Sequence, residues 1–119
     1  MTVSSKQAEL AEIEEKETFI VFELKRVDAY EKMLDDTRDI YAKYQKLQKV
    51  FERFQEAFPE DEKFRQNAEQ NLVAMKKMAE TIDYGTQTAQ KHRYHLEEFR
   101  GYLQHRKAEL LGGDEADLS

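Results

Sequence analysis

Few side chains in this 119-residue sequence could do chemistry, and their spacing suits it poorly. His92, His95 and Glu98 are the one combination with metal-ligating chemistry. Their i, i+3, i+6 spacing fans them around a helix. A di-metal bundle instead draws Glu-x-x-His pairs from two helices and adds two more glutamates. There is no cysteine, which excludes disulfides and thiolate metal sites. The only serines are Ser4, Ser5 and Ser119, at the ends of the chain, so no nucleophile has a base to activate it. Carboxylates are plentiful, but on exposed helix faces they form solvated ion pairs. The expectation is a protein with no catalytic residue, no metal and no cofactor, and not an enzyme.

What the sequence does specify is a pattern. Pro59 is its single proline, and the apolar residues mirror one another on either side of it. Reading outward, Phe58 pairs with Phe64, Phe51 with Leu72, Leu47 with Met75, Ile40 with Ile82 and Met33 with Ala89. Val27 then pairs with Leu96, Leu24 with Phe99, Ile20 with Leu103 and Ile13 with Leu110. Two matched amphipathic runs joined by one sharp break predict an all-α fold, a long antiparallel two-helix hairpin packed like a coiled coil. Ser4 and Gln7 fit an N-terminal capping box. The first helix is predicted over about residues 5–57, the turn over 58–61 and the second helix over about 61–111, with Pro59 suited to its first turn. Gly112-Gly113 is the expected stop of a hairpin domain covering 1–113, and 114–119 reads as a disordered acidic tail.

Within the first helix, Leu10, Ile13, Glu17, Ile20, Leu24 and Val27 advance by alternating steps of three and four. Tyr30, Met33, Thr37, Ile40, Tyr44, Leu47, Phe51, Phe54 and Phe58 do the same, displaced by one residue, which predicts a local change of supercoil between Val27 and Tyr30. Gly85, Thr86 and Ala89 make a small-residue stretch opposite Tyr30, Met33 and Thr37. It would admit close approach of the helices, or room for a third one. Glu17 and Arg106 face each other in the mirror and read as an ion pair that sets the register.

Hydrophobic residues make up 39% of the chain and charged residues 37%, a balance that suits a rod or a partner-dependent helix pair better than a compact globule. The net charge of −6 argues against nucleic acid, whose binding needs clustered positive charge. The one basic stretch runs from Lys91 to Lys107. The hairpin lays it beside an acidic one, Glu9 to Glu17, and opposite charges select the antiparallel pairing. The N-terminus lacks the apolar core of a signal peptide, and the longest apolar run, Phe19 to Phe22, is too short to span a bilayer. The expected location is the cytoplasm, or outside the cell by a route that reads no signal peptide.

Some apolar residues fall off the predicted seam. Phe22 lies on the far side of the first helix with Phe19 near it, Tyr84 and Tyr94 point outward on the second helix, and Leu34 and Tyr41 widen the first stripe. Together Phe19, Phe22, Leu34, Tyr41, Tyr84 and Tyr94 form the expected partner-binding set.

A cysteine-free, charge-rich hairpin of this size, broken at Ala57-Phe58-Pro59-Glu60, resembles the LXG-toxin-associated α-helical proteins of the type VII secretion system in Gram-positive bacteria. The likeness covers about residues 6–111. More distantly it resembles the WXG (Esx-like) proteins, although the Trp-x-Gly turn of that family is absent. The Tyr-x-x-x-[Asp/Glu] export pattern of that family is matched by Tyr94 and Glu98, inside the second helix rather than after it. The resemblance implies a targeting chaperone, or adaptor, that packs on the helical N-terminal domain of a secreted toxin, with a second small helical protein as a further partner. The alternative is a structural coiled-coil protein that pairs with itself as a four-helix-bundle homodimer, such as a phage or cytoskeletal assembly component.

Overall fold

A computed structural model describes the backbone of residues 2–118 and the side chains of residues 5–112. It is all-α: helix α1 spans Thr2–Ala57 and helix α2 spans Glu62–Leu118, the two arms of an antiparallel hairpin. No strand occurs among the described residues.

The reversal is built by four residues. Phe58 N–H still donates to the Phe54 carbonyl at 2.8 Å, which completes the last turn of α1. Asp61 N–H donates back to the Phe58 carbonyl at 3.0 Å, closing a β-turn whose second position is Pro59. Proline holds φ near the value that position needs. It therefore sits in the turn, not in the first turn of α2 as the sequence predicts. The N-cap is Asp61, whose Oδ1 accepts from Lys63 N–H at 3.0 Å.

The outer ends also differ from expectation. Helix α1 is already helical at Thr2, so Ser4 lies within it, and the Ser4 side chain proposed as a cap falls outside the described residues. Helix α2 runs through Gly112 and Gly113 to Leu118, past the predicted stop and into the predicted tail. Two glycines lower helix propensity by about 1 kcal/mol each relative to alanine but do not forbid the helix. Among the described residues no glycine adopts the left-handed conformation that ends a helix in a glycine cap.

Packing divides the hairpin into two units, one formed by Met1–Ala29 with Gln90–Ser119 and the other by Tyr30–Ala89. In the first, Ile13, Ile20 and Leu103 are buried, and Leu24, Leu96 and Leu110 close over them. This cluster contains the expected partners Ile13 with Leu110 and Ile20 with Leu103. Phe99, the expected partner of Leu24, is 40% exposed. Acidic α1 meets basic α2 here as predicted, with different partners. Arg106 Nε binds Glu9 at 2.7 Å, Lys107 binds Glu17 at 3.4 Å, and Arg93 binds Asp28. The predicted Glu17–Arg106 pair is thus replaced by two neighbouring pairs, because these long side chains reach past the residue directly opposite.

In the second unit Leu34, Ala68 and Ala89 are buried, and so is a polar pair, Gln48 and Asn71. Asn71 Nδ2 donates to Gln48 Oε1 at 2.8 Å and to the Tyr44 carbonyl at 3.0 Å. Gly85 is buried against Leu34 and Tyr30. A Cβ there would stand 2.7 Å from Leu34 Cδ2 and 2.7 Å from the Tyr30 hydroxyl, so the absent side chain is what admits both.

The predicted displacement of the α1 seam does not occur. The row Ile13, Ile20, Val27, Leu34, Tyr41 and Gln48 repeats every seven residues; all are buried except Tyr41, which is half-buried. Met33, Ile40 and Leu47, assigned to the seam from sequence, are 53, 47 and 39% exposed, and Leu72 on α2 is also exposed. The pairings Met33–Ala89, Ile40–Ile82, Leu47–Met75 and Phe51–Leu72 are therefore not core contacts. The reason is that α1 carries two adjacent apolar rows in this unit, and one neighbouring helix covers only one of them. Small Gly85 receives Leu34, and polar Asn71 selects Gln48, so the row with Leu34 and Gln48 goes inside.

Candidate functional site

The candidate partner-binding residues separate into two sets. Leu34 is 2% exposed and belongs to the core beneath Gly85, so it is not available at the surface. Tyr41 is half-buried in the same row. The other four, Phe19, Phe22, Tyr84 and Tyr94, are 58, 60, 74 and 58% exposed.

Phe19 and Phe22 are three residues apart on α1, which makes them neighbours on the helix surface. Ile20 between them points into the core and is fully buried, so the backbone that carries the two rings is held by packing. The same unit exposes Tyr102 and Phe99 on α2, stacked with ring centroids 6.5 Å apart and planes 9° from parallel. Tyr102 follows Gly101, which has nothing within 4 Å of the place a Cβ would take, so this stretch of α2 is open. Four large rings on one short unit exceed what a solvated surface needs, and aromatic side chains are the preferred anchors of helix-on-helix interfaces.

Tyr94 is held to its own helix. Its hydroxyl donates to Glu98 Oε1 at 2.7 Å, and this bond to a carboxylate pushes the tyrosine pKa up. The Tyr94–Glu98 match is therefore an i, i+4 pair on the outside of α2. Tyr84 lines a shallow cleft of the second unit with Tyr30, Lys77, Glu80 and Thr81.

Two histidines lie beside carboxylates, and His95 packs edge-on against Tyr94 with ring centroids 5.8 Å apart. His92 Nε2 lies 3.7 Å from Glu23, and His105 Nε2 lies 2.9 Å from Glu109. No three His, Asp or Glu side chains converge among the described residues. None of the described helices is long and apolar enough to cross a membrane.

The sequence places Met33, Ile40 and Leu47 in the seam and Tyr102 on the helix beside Phe19 and Phe22, outside the expected partner-binding set; all four are exposed. Continuing the seven-residue spacing of Ile13, Ile20 and Val27 through Leu34 leaves Met33, Ile40 and Leu47 one position to the side, but that row is the more hydrophobic of the two, so spacing alone does not choose between them. No family model, no curated protein and no solved structure matches this chain.

Proposed function

We propose that the protein is a non-enzymatic helical adaptor that packs on the helical N-terminal domain of a secreted toxin and delivers it for type VII export. The observation that carries this reading is the outward placement of Phe19 and Phe22 on either side of fully buried Ile20. A hairpin that needed those rings for its own fold would turn them inward. Here the fold supplies a rigid helix and leaves the rings for another chain. The mechanism is helix-on-helix burial: the client's exposed apolar stripe is covered by the exposed rings of the first unit, with Phe19 and Phe22 on α1 and Phe99 and Tyr102 on α2.

The test is co-purification with the helical N-terminal domain of the toxin, together with secretion of that toxin from a strain lacking the adaptor. Replacing Phe19 and Phe22 by serine is expected to weaken the complex by several kcal/mol while leaving helical content unchanged. A toxin exported equally well without the adaptor, or bound equally well by the double variant, would sink the reading.

A further inference from the structure

The second unit carries an apolar row that the hairpin leaves uncovered, and its charges point to a single occupant. Met33, Ile40 and Leu47 recur every seven residues and are all exposed. Seven residues are two helical turns, so the three side chains form one line along α1, beside the inward line of Leu34, half-buried Tyr41 and Gln48. Two adjacent apolar lines are what a helix in a four-helix bundle carries; a helix with one neighbour needs one. Asp36 and Lys43 flank Ile40, four residues before it and three after. Both are exposed, and neither is ion-paired among the described residues.

We propose that this row is a homodimer interface, on which α1 of a second copy lies antiparallel with the two-fold axis at Ile40. The charges select that arrangement over the others the row allows. With the axis at Ile40, Met33 stands opposite the other copy's Leu47, and Ile40 opposite Ile40. Asp36 falls within one residue's rise, about 1.5 Å along the axis, of the other copy's Lys43, and does so twice by symmetry. Moving the axis midway between Ile40 and Leu47 brings the two Lys43 side chains together. Moving it midway between Met33 and Ile40 does the same to the two Asp36 side chains. A parallel pairing in register carries Asp36 and Lys43 of the two copies to opposite sides of the seam, where neither meets the opposite charge. The two shifted registers are penalised by repulsion, the parallel pairing gains nothing from these charges, and only the antiparallel pairing on Ile40 is rewarded at both sites. Phe54, the next residue in the line, is already stacked on Phe64 at 5.0 Å beside the turn, so the shared row ends at Leu47.

The experiment uses the full chain alone. Sedimentation equilibrium across the micromolar range is expected to show a reversible dimer. Asp36→Lys and Lys43→Asp should each weaken it by about tenfold or more, and the double exchange should restore it. Because the natural chain has no cysteine, Ile40→Cys should give a disulfide-linked dimer on mild oxidation. Lys49→Cys, nine residues from the axis and so about 27 Å from its symmetry mate, should not. A chain that stays monomeric, a double exchange that fails to restore pairing, or Lys49→Cys crosslinking as readily as Ile40→Cys would overturn the proposal. So would a monomer whose Ile40→Ser variant loses toxin binding, because the row would then belong to the client. Phe19→Ser/Phe22→Ser should dimerise normally, which separates this interface from the adaptor reading.

Discussion

Gly85 and Gly101 are the same residue in the same helix and should respond to substitution with opposite signs. A methyl group at Gly85 meets Leu34, which is buried and cannot withdraw, and the Tyr30 hydroxyl. The crowding costs about 1–3 kcal/mol, more than the gain of about 1 kcal/mol in helix propensity. Gly101→Ala meets nothing and should stabilise by about that propensity gain. Thermal melts of the two variants check both signs. Asn71 is a second such residue. Asn71→Ala leaves the buried Gln48 carbonyl oxygen without its donor and should cost about 1–3 kcal/mol. Glu9 supplies a pH dependence. The hydrogen bond from Arg106 holds its pKa below the ordinary value of 4.5. A depressed carboxylate adds stability that is complete above the unfolded value and is lost as the pH falls through the folded one. The melting temperature should therefore carry the full and constant contribution of this pair between pH 7 and about 5, and show a fall below pH 4.5 that Arg106→Gln reduces. Arg106 itself is raised above its already high pKa by Glu9 and Glu109 and does not titrate in that window.

At the scale of the helices, the neighbours Phe19 and Ile20 test which face of α1 is which. Ile20 is fully buried beside Ile13 and Leu103, and Ile20→Ala should cost about 2–5 kcal/mol. Phe19→Ser, one residue away on the outside, should change the melt by less than about 0.5 kcal/mol. If Phe19→Ser proves the more destabilising of the two, the inward face of α1 has been misplaced by one position. The turn offers a parallel measurement. Asp61 caps α2, so Asp61→Ala should cost about 1 kcal/mol, measurable by urea titration. Thr18, Thr37 and Thr81 satisfy their hydroxyls within the helices, each donating to the carbonyl four residues back at 3.0 Å.

For the molecule as a whole, a hairpin buries only one stripe of each helix, and the core of its first unit rests on Ile13, Ile20 and Leu103 with a few flanking leucines. Burial at about 25 cal/mol per Å² must offset the ordering of both long helices. Such a protein draws stability from whatever covers its remaining apolar surface, so its melting temperature should rise with its own concentration and rise further with a client domain. Differential scanning calorimetry over a hundredfold range of concentration checks this. A melt independent of concentration and of any partner would show that the hairpin is self-sufficient.

The break at Pro59, the two amphipathic runs and the facing of acidic against basic residues all follow from local chemistry, and they were legible in the chain by itself. Proline cannot lie in a helix interior, charges of opposite sign pair, and apolar residues at steps of three and four mark a face. Which of two adjacent rows on α1 faces inward was not legible, since Met33-Ile40-Leu47 and Leu34-Tyr41-Gln48 satisfy the same spacing and the first is the more hydrophobic. That choice belongs to the tertiary structure. Gly85 on α2 leaves space for Leu34, and Asn71 leaves a hydrogen bond for Gln48. A helix reads its neighbour's shape and polarity, which lie some fifty residues away along the chain for Gly85, and periodicity within one helix carries no record of them.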